Sequence, residues 1–112
     1  MAIISNIVID QGTTFQAEID VTDNSGNILD LDGYTVAGQM RRTYSSTTAT
    51  DFTAAVASTA EGTVSISLTP VQTNALKAGR YVYDVEITDA GGIVTRVVEG
   101  QVEVTPGVTR AS

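Results

Sequence analysis

Asp84 and Glu86 stand two residues apart in the stretch Tyr81-Val82-Tyr83-Asp84-Val85-Glu86-Ile87, a spacing that sets two carboxylates side by side on one strand face. Such a pair is the least that acid–base chemistry between carboxylates needs. It is also what an ordinary water-facing strand presents, and the usual exposure of these residues favours that plainer reading. Lys77 is the single lysine, so a Ser–Lys nucleophile would have to use it, but it falls on an exposed corner just ahead of Gly79. Asp23-Asn24-Ser25-Gly26-Asn27 has the opening residues of a calcium loop and lacks the downstream bidentate glutamate; it reads as a turn. Gly91-Gly92 is followed by a strand pattern rather than a helix, which excludes a phosphate cradle. Arg41-Arg42 beside Tyr44 offer a contact for an anion or an acidic neighbour, against the plainer reading of a solvated strand end.

The chain has no histidine and no cysteine. It therefore lacks the commonest neutral-pH base, any thiolate and any disulfide, which fits folding in a reducing cytoplasm. With no base beside its many hydroxyls and no convergent ligand set, the sequence predicts no enzyme, no catalytic residue, no metal site and no cofactor. A net charge of −7 repels phosphate backbones, so nucleic acid is not an expected partner. Hydrophobic residues make up 42% of the chain, too many for a disordered segment. Met1 to Asn6 has neither the basic start of a signal peptide nor the length of a membrane span, and no membrane partner is expected.

These side chains must be positioned by strands. Thr13 to Thr22 alternates with Phe15, Ala17, Ile19 and Val21 inward. Ile28 to Leu31 is a short return segment. Tyr34, Val36, Gly38 and Met40 mark a strand ending near Arg41-Arg42. Thr43 to Asp51 is a Ser/Thr-rich loop, either an idle connector or a contact loop for a partner. Phe52, Ala54 and Val56 form a weak strand suited to a sheet edge, and Thr63 to Leu68 alternates cleanly. Pro70 to Leu76 is the one helical candidate, with Thr69 as its N-cap and proline at its first position. A strand from Gly79 to Thr88 carries Tyr81, Tyr83, Val85 and Ile87 inward. Asp89-Ala90-Gly91-Gly92 then turns the chain into a last strand from Ile93 to about Val104. Adjacent Val97 and Val98, with Gly100 mid-strand, predict a bulge or a close backbone approach there.

A tyrosine just after a glycine-ended corner, here Gly79 and Tyr81, is the pattern of a tyrosine corner. With about seven strands and a turn signal every ten residues or so, the sequence predicts an all-β fold. Its expected form is an immunoglobulin-like antiparallel β-sandwich with one short helical turn, spanning residues 1–112 as a single domain. A barrel is the rival architecture.

The order of motifs carries a resemblance. Gly12-Thr13-Thr14-Phe15 opens a strand. Asn24-Ser25-Gly26-Asn27 leads to Leu29-Asp30-Leu31-Asp32-Gly33-Tyr34-Thr35, then comes a strand ending in Met40-Arg41. Gly62-Thr63-Val64 and the Leu76…Gly79-Arg80-Tyr81 corner follow. Gly92-Ile93-Val94, Glu99-Gly100-Gln101-Val102-Glu103-Val104 and Val108-Thr109-Arg110 close the series. The chain resembles small immunoglobulin-like virion proteins of tailed bacteriophages and the N-terminal domain of phage baseplate upper proteins. That resemblance implies a structural subunit of the tail, baseplate or neck, made in the host cytoplasm and resident in the virion. Its implied partners are other phage structural proteins and copies of itself. The interface candidates are Arg41, Arg42, Tyr44 and Phe52. Capsid decoration is one alternative. Carbohydrate binding by an exposed aromatic such as Tyr44 is another, against which stand a 5% aromatic content and the absence of tryptophan.

Overall fold

A computed structural model describes residues 3–22 and 25–107. Asp23 and Asn24 of the expected turn, and Val108-Thr109-Arg110, lie outside the described residues. Within them the chain is all-β apart from one short helix. The strands are β1 (Ile3–Ile4), β2 (Ile7–Asp10), β3 (Phe15–Asp20), β4 (Thr35–Arg41), β5 (Thr50–Asp51), β6 (Thr53–Ser58), β7 (Thr63–Leu68), β8 (Gly79–Thr88) and β9 (Val94–Thr105), with α1 (Pro70–Asn74) between β7 and β8. They form two sheets. The larger runs β1-β9-β8-β4-β5, with β2 also paired to β9; the smaller runs β3-β7-β6.

The period-two patterns fix which faces meet. Val64, Ile66 and Leu68 of β7 are almost wholly buried, as are Tyr81, Tyr83, Val85 and Ile87 of β8, and the two sets join one core cluster with Met40, Phe52, Val102 and Val104. Burying each such side chain is worth roughly 1.5–3 kcal/mol. Val82, Asp84, Glu86 and Thr88 are half-buried on the opposite face of the larger sheet, where Arg80 is exposed.

The expectation of a purely antiparallel architecture fails at one edge. β1 and β2 run parallel to β9, with Ile4 opposite Glu99 and Ile7 opposite Val102. The two are halves of one strand broken at Ser5-Asn6. The break is held by polar groups: Ser5 N–H donates to the Glu99 carbonyl (2.9 Å), the Asn6 side chain accepts from Gln101 N–H (3.0 Å), and the Tyr83 hydroxyl donates to the Ser5 carbonyl (2.6 Å). Ile28 to Leu31 contributes only an isolated bridge, Thr22 to Ile28, rather than a strand. Among the described residues the strand segments exceed the expected seven because β1, β2 and β5 are short pieces that complete edges.

The β8–β9 ladder carries the expected bulge. Val85 pairs with Val98 but Glu86 pairs with Arg96, so Val97 is the extra residue. Val97 and Val98 are consequently both buried, at 8% and 2% exposure. In an unbroken ladder Arg96 would fall opposite Ile87, on the core side. The bulge instead carries it to the outer face beside Glu86.

Helix α1 starts at Pro70 as the sequence predicts and ends at Asn74, two residues short of the expected Leu76. Thr69 and Gln72 make a reciprocal capping box with Pro70 in the first turn. Buried Thr73 fastens the helix by donating its hydroxyl to the Thr13 carbonyl (2.7 Å). The next residues, Ala75 to Ala78, carry the chain to β8.

Candidate functional site

Tyr81 enters β8 directly after that turn, and its hydroxyl reaches back to donate to the Lys77 carbonyl at 2.8 Å. Gly79, with φ of +135°, makes the corner possible by taking a backbone conformation that L side chains rarely adopt. The Arg42 guanidinium packs over the space that its missing Cβ leaves. Arg42 covers the ring, its guanidinium carbon 4.8 Å from the Tyr81 centroid. Tyr81→Phe keeps the ring and the cation contact and leaves the Lys77 carbonyl without its donor. The expected loss is about 1 kcal/mol, read as a shift of the urea midpoint at unchanged m-value. A midpoint equal to that of the parent chain would mean that the hydroxyl holds nothing.

Arg41 and Arg42, adjacent in sequence, part at the end of β4. Arg41 turns to the outer face of the larger sheet. Its Nη1 donates to the Ser46 carbonyl (2.7 Å) and its Nη2 to Gln39 Oε1 (3.1 Å), while Gln39 Nε2 donates to Asp51 (2.6 Å). Ser46 in turn caps the tight turn after β4: its hydroxyl accepts from Thr43 N–H (3.1 Å), and its own N–H donates to the Thr43 carbonyl (3.2 Å). Tyr44 rides on this pinned turn at 84% exposure. Phe52 does not belong with these surface residues. At 6% exposure it is a core residue, its ring 6.0 Å from Phe15 and 6.1 Å from Tyr83, because it links β5 of the larger sheet to β6 of the smaller and faces the gap that Gly38 leaves.

Asp84 and Glu86 share the outer face with Arg41 and Gln39, as their alternation requires. Arg96 joins them across the ladder: its Nε lies 3.2 Å from Asp84 and its Nη1 3.0 Å from Glu99. The hydrogen bond to Glu99 and then the charge of Asp84 raise its pKa above the ordinary arginine value. Together Gln39, Arg41, Tyr44, Asp84, Arg96 and Glu99 line an open depression of about 280 Å³. Sequence reasoning reached Arg41, Tyr44 and Asp84 but not Arg96 and Glu99, whose arrival depends on the bulge.

A second feature lies along the opposite edge. The inward residues of β3, Phe15, Ala17 and Ile19, are only half-buried, whereas their partners on β7 are 0–1% exposed. Between β3 and the Ser5–Ile7 segment opens a cleft of about 260 Å³, floored by Ile66, Tyr83 and Val98 and edged by Glu18 and Asp20. Among the described residues β3 pairs only with β7, which leaves its other side an open strand edge. Burial beneath this cleft pushes the Tyr83 phenol up from its ordinary pKa.

No protein-family model matches the chain, and no curated protein matches it. Among solved structures it is similar to an internalin-like protein of Listeria monocytogenes, at 18% identity and a TM-score of 0.47; the likeness covers 95% of this chain and 28% of that one. The chain thus spans less than a third of that protein's length. Among the described residues no helix is long and apolar enough to cross a membrane.

Proposed function

We propose that the protein is a non-enzymatic docking subunit of a tailed bacteriophage particle, in the tail, baseplate or neck, built on an immunoglobulin-like β-sandwich. The corner bond from Tyr81 to Lys77 and the face-to-face packing of the two sheets support the sandwich reading. The placement in a virion rests on the order of sequence motifs. The observation that carries the docking role is the open seam at β3. An unpaired strand edge beside an apolar floor is a template for an added strand, whose backbone extends the ladder while alternate side chains enter the cleft. Glu18 and Asp20 on the lips favour a partner strand that carries basic residues, and they discourage pairing of two such edges with each other. In a symmetric particle many modest contacts of this kind add through effective concentration.

The test is location. A gold-labelled antibody against this chain, applied to purified particles encoded by the same genome, is expected to mark tails, baseplates or necks. Label on heads would move the chain to capsid decoration. Absence of the chain from purified particles would end the reading altogether.

A further inference from the structure

We propose that the depression on the outer face of the larger sheet binds a neutral saccharide, with the Tyr44 ring as its stacking platform. Tyr44 departs from the other large aromatic side chains. Phe52, Tyr81 and Tyr83 are buried, whereas Tyr44 is 84% exposed on a turn that Arg41, Thr43 and Ser46 hold by four hydrogen bonds. A ring carried on a turn held in this way starts from a backbone already in place, and a tyrosine has only two side-chain torsions to order on binding.

The polar groups below it narrow the ligand chemistry. Two linked sets are in place: Asp51, Gln39, Arg41 and the Ser46 carbonyl on one side, Asp84, Arg96 and Glu99 on the other. An anion would have to draw Arg41 or Arg96 out of these pairings and would meet the carboxylates of Asp84, Glu86 and Glu99 beside them. A cation would have to compete with Arg96 for Asp84 and Glu99; Glu86 also lines the depression, which is why a lysine-rich peptide is among the probes. A hydroxyl has no such cost, since it donates and accepts at once. It can add to the spare lone pairs of the carboxylates and the spare N–H groups of Gln39 and the arginines without breaking a bond already made. A ring of hydroxyls with one apolar face matches both halves of the site, and a depression of about 280 Å³ suits one or two sugar rings. This site stands whether or not the chain docks in a particle.

The intact chain is to be titrated calorimetrically with neutral hexasaccharides of glucose, galactose and mannose, and separately with heparin and a lysine-rich peptide. Binding to at least one neutral sugar is expected, with Kd on the order of 0.1–1 mM. Tyr44→Ala should weaken it about tenfold and Tyr44→Phe less than about twofold, because the ring and not its hydroxyl is used. Gln39→Ala should weaken it by roughly threefold or more. Val71→Ala, at another exposed position, should leave it unchanged. Tyr44 is exposed enough that its removal leaves the fold intact, which circular dichroism checks. The proposal is overturned if no neutral sugar binds, if sugar binding survives Tyr44→Ala at full strength, or if heparin or the peptide alone occupies the site.

Discussion

Phe52→Ala is expected to cost about 3–5 kcal/mol of folding stability, the range for truncating a buried phenylalanine. The ring stands where the chain passes directly from β5 of the larger sheet to β6 of the smaller. Phe15 of the smaller sheet lies on one side of it and Tyr83 of the larger on the other, the latter edge-on at 81°. Its Cδ2, with a Val85 methyl, fills the space over Gly38. Removing it leaves a hole between three backbones that cannot readily close, because β4, β7 and β8 are each held in register by their ladders. A loss of that size is a large fraction of the roughly 5–15 kcal/mol by which domains are stable. Urea unfolding should show it as a midpoint lowered by more than about 1 M at an unchanged slope. Phe52→Leu, which keeps most of the volume, should lose less than half as much. If instead Phe52→Ala folds as stably as the parent and weakens only association with a partner, the ring belongs to an interface and its burial in the free chain is misleading.

The contrast between Phe52 and Tyr44 shows what the sequence could convey. Alternation along 63–68 and 79–88 needs no partner to be read, and β7 and β8 appear at those bounds. The Tyr81 corner is equally local, since donor and acceptor are four residues apart. The capping box at Thr69 and Gln72 spans three. By contrast, Ile3–Ile4 and Ile7–Asp10 are too short and too weakly patterned to announce strands. They become strands only through β9, some ninety-five residues away. Phe52 is in phase with Ala54 and Val56, so alternation turns it inward, but the gap over Gly38 that receives its ring is made by a strand distant in sequence. The outer-face site is legible in part. Gln39, Arg41 and Asp84 follow from period two, but Arg96 would be assigned to the core by simple alternation. The one-residue insertion at Val97 reverses it, and its sequence sign, two adjacent valines, marks a bulge without saying which side chains it redirects.

Gly100→Val is expected to release the N-terminal strands from the larger sheet. Gly100 lies opposite Tyr83 in the β8–β9 ladder, and both face the core. Where its side chain would be, the backbone of Ser5 crosses: a Cβ on Gly100 would collide with the Ser5 carbonyl, with Asn6 Oδ1 next at 3.1 Å. The glycine is not among the residues of positive φ, so its requirement is space rather than backbone conformation. The same carbonyl accepts the Tyr83 hydroxyl, and Asn6 satisfies the Gln101 N–H that the broken ladder leaves over. A valine must therefore push away backbone, not a flexible side chain. The break at Ser5-Asn6 is the joint between β1 and β2, so both halves lose their seat on β9. Exposing Ile9, now 1% accessible, gives up roughly 1.5–3 kcal/mol. The lost Tyr83 bond adds about 1 kcal/mol, for a total of roughly 2.5–4 kcal/mol. Hydrogen exchange gives the sharper readout: amides of β2 that donate to β9, and amides of β9 that face β2, should lose protection, while β3, β6 and β7 keep theirs. Gly100→Ala should show the same pattern with a smaller loss. Unchanged protection along 7–10 in the valine variant would mean that the N-terminal strand is not seated on this glycine.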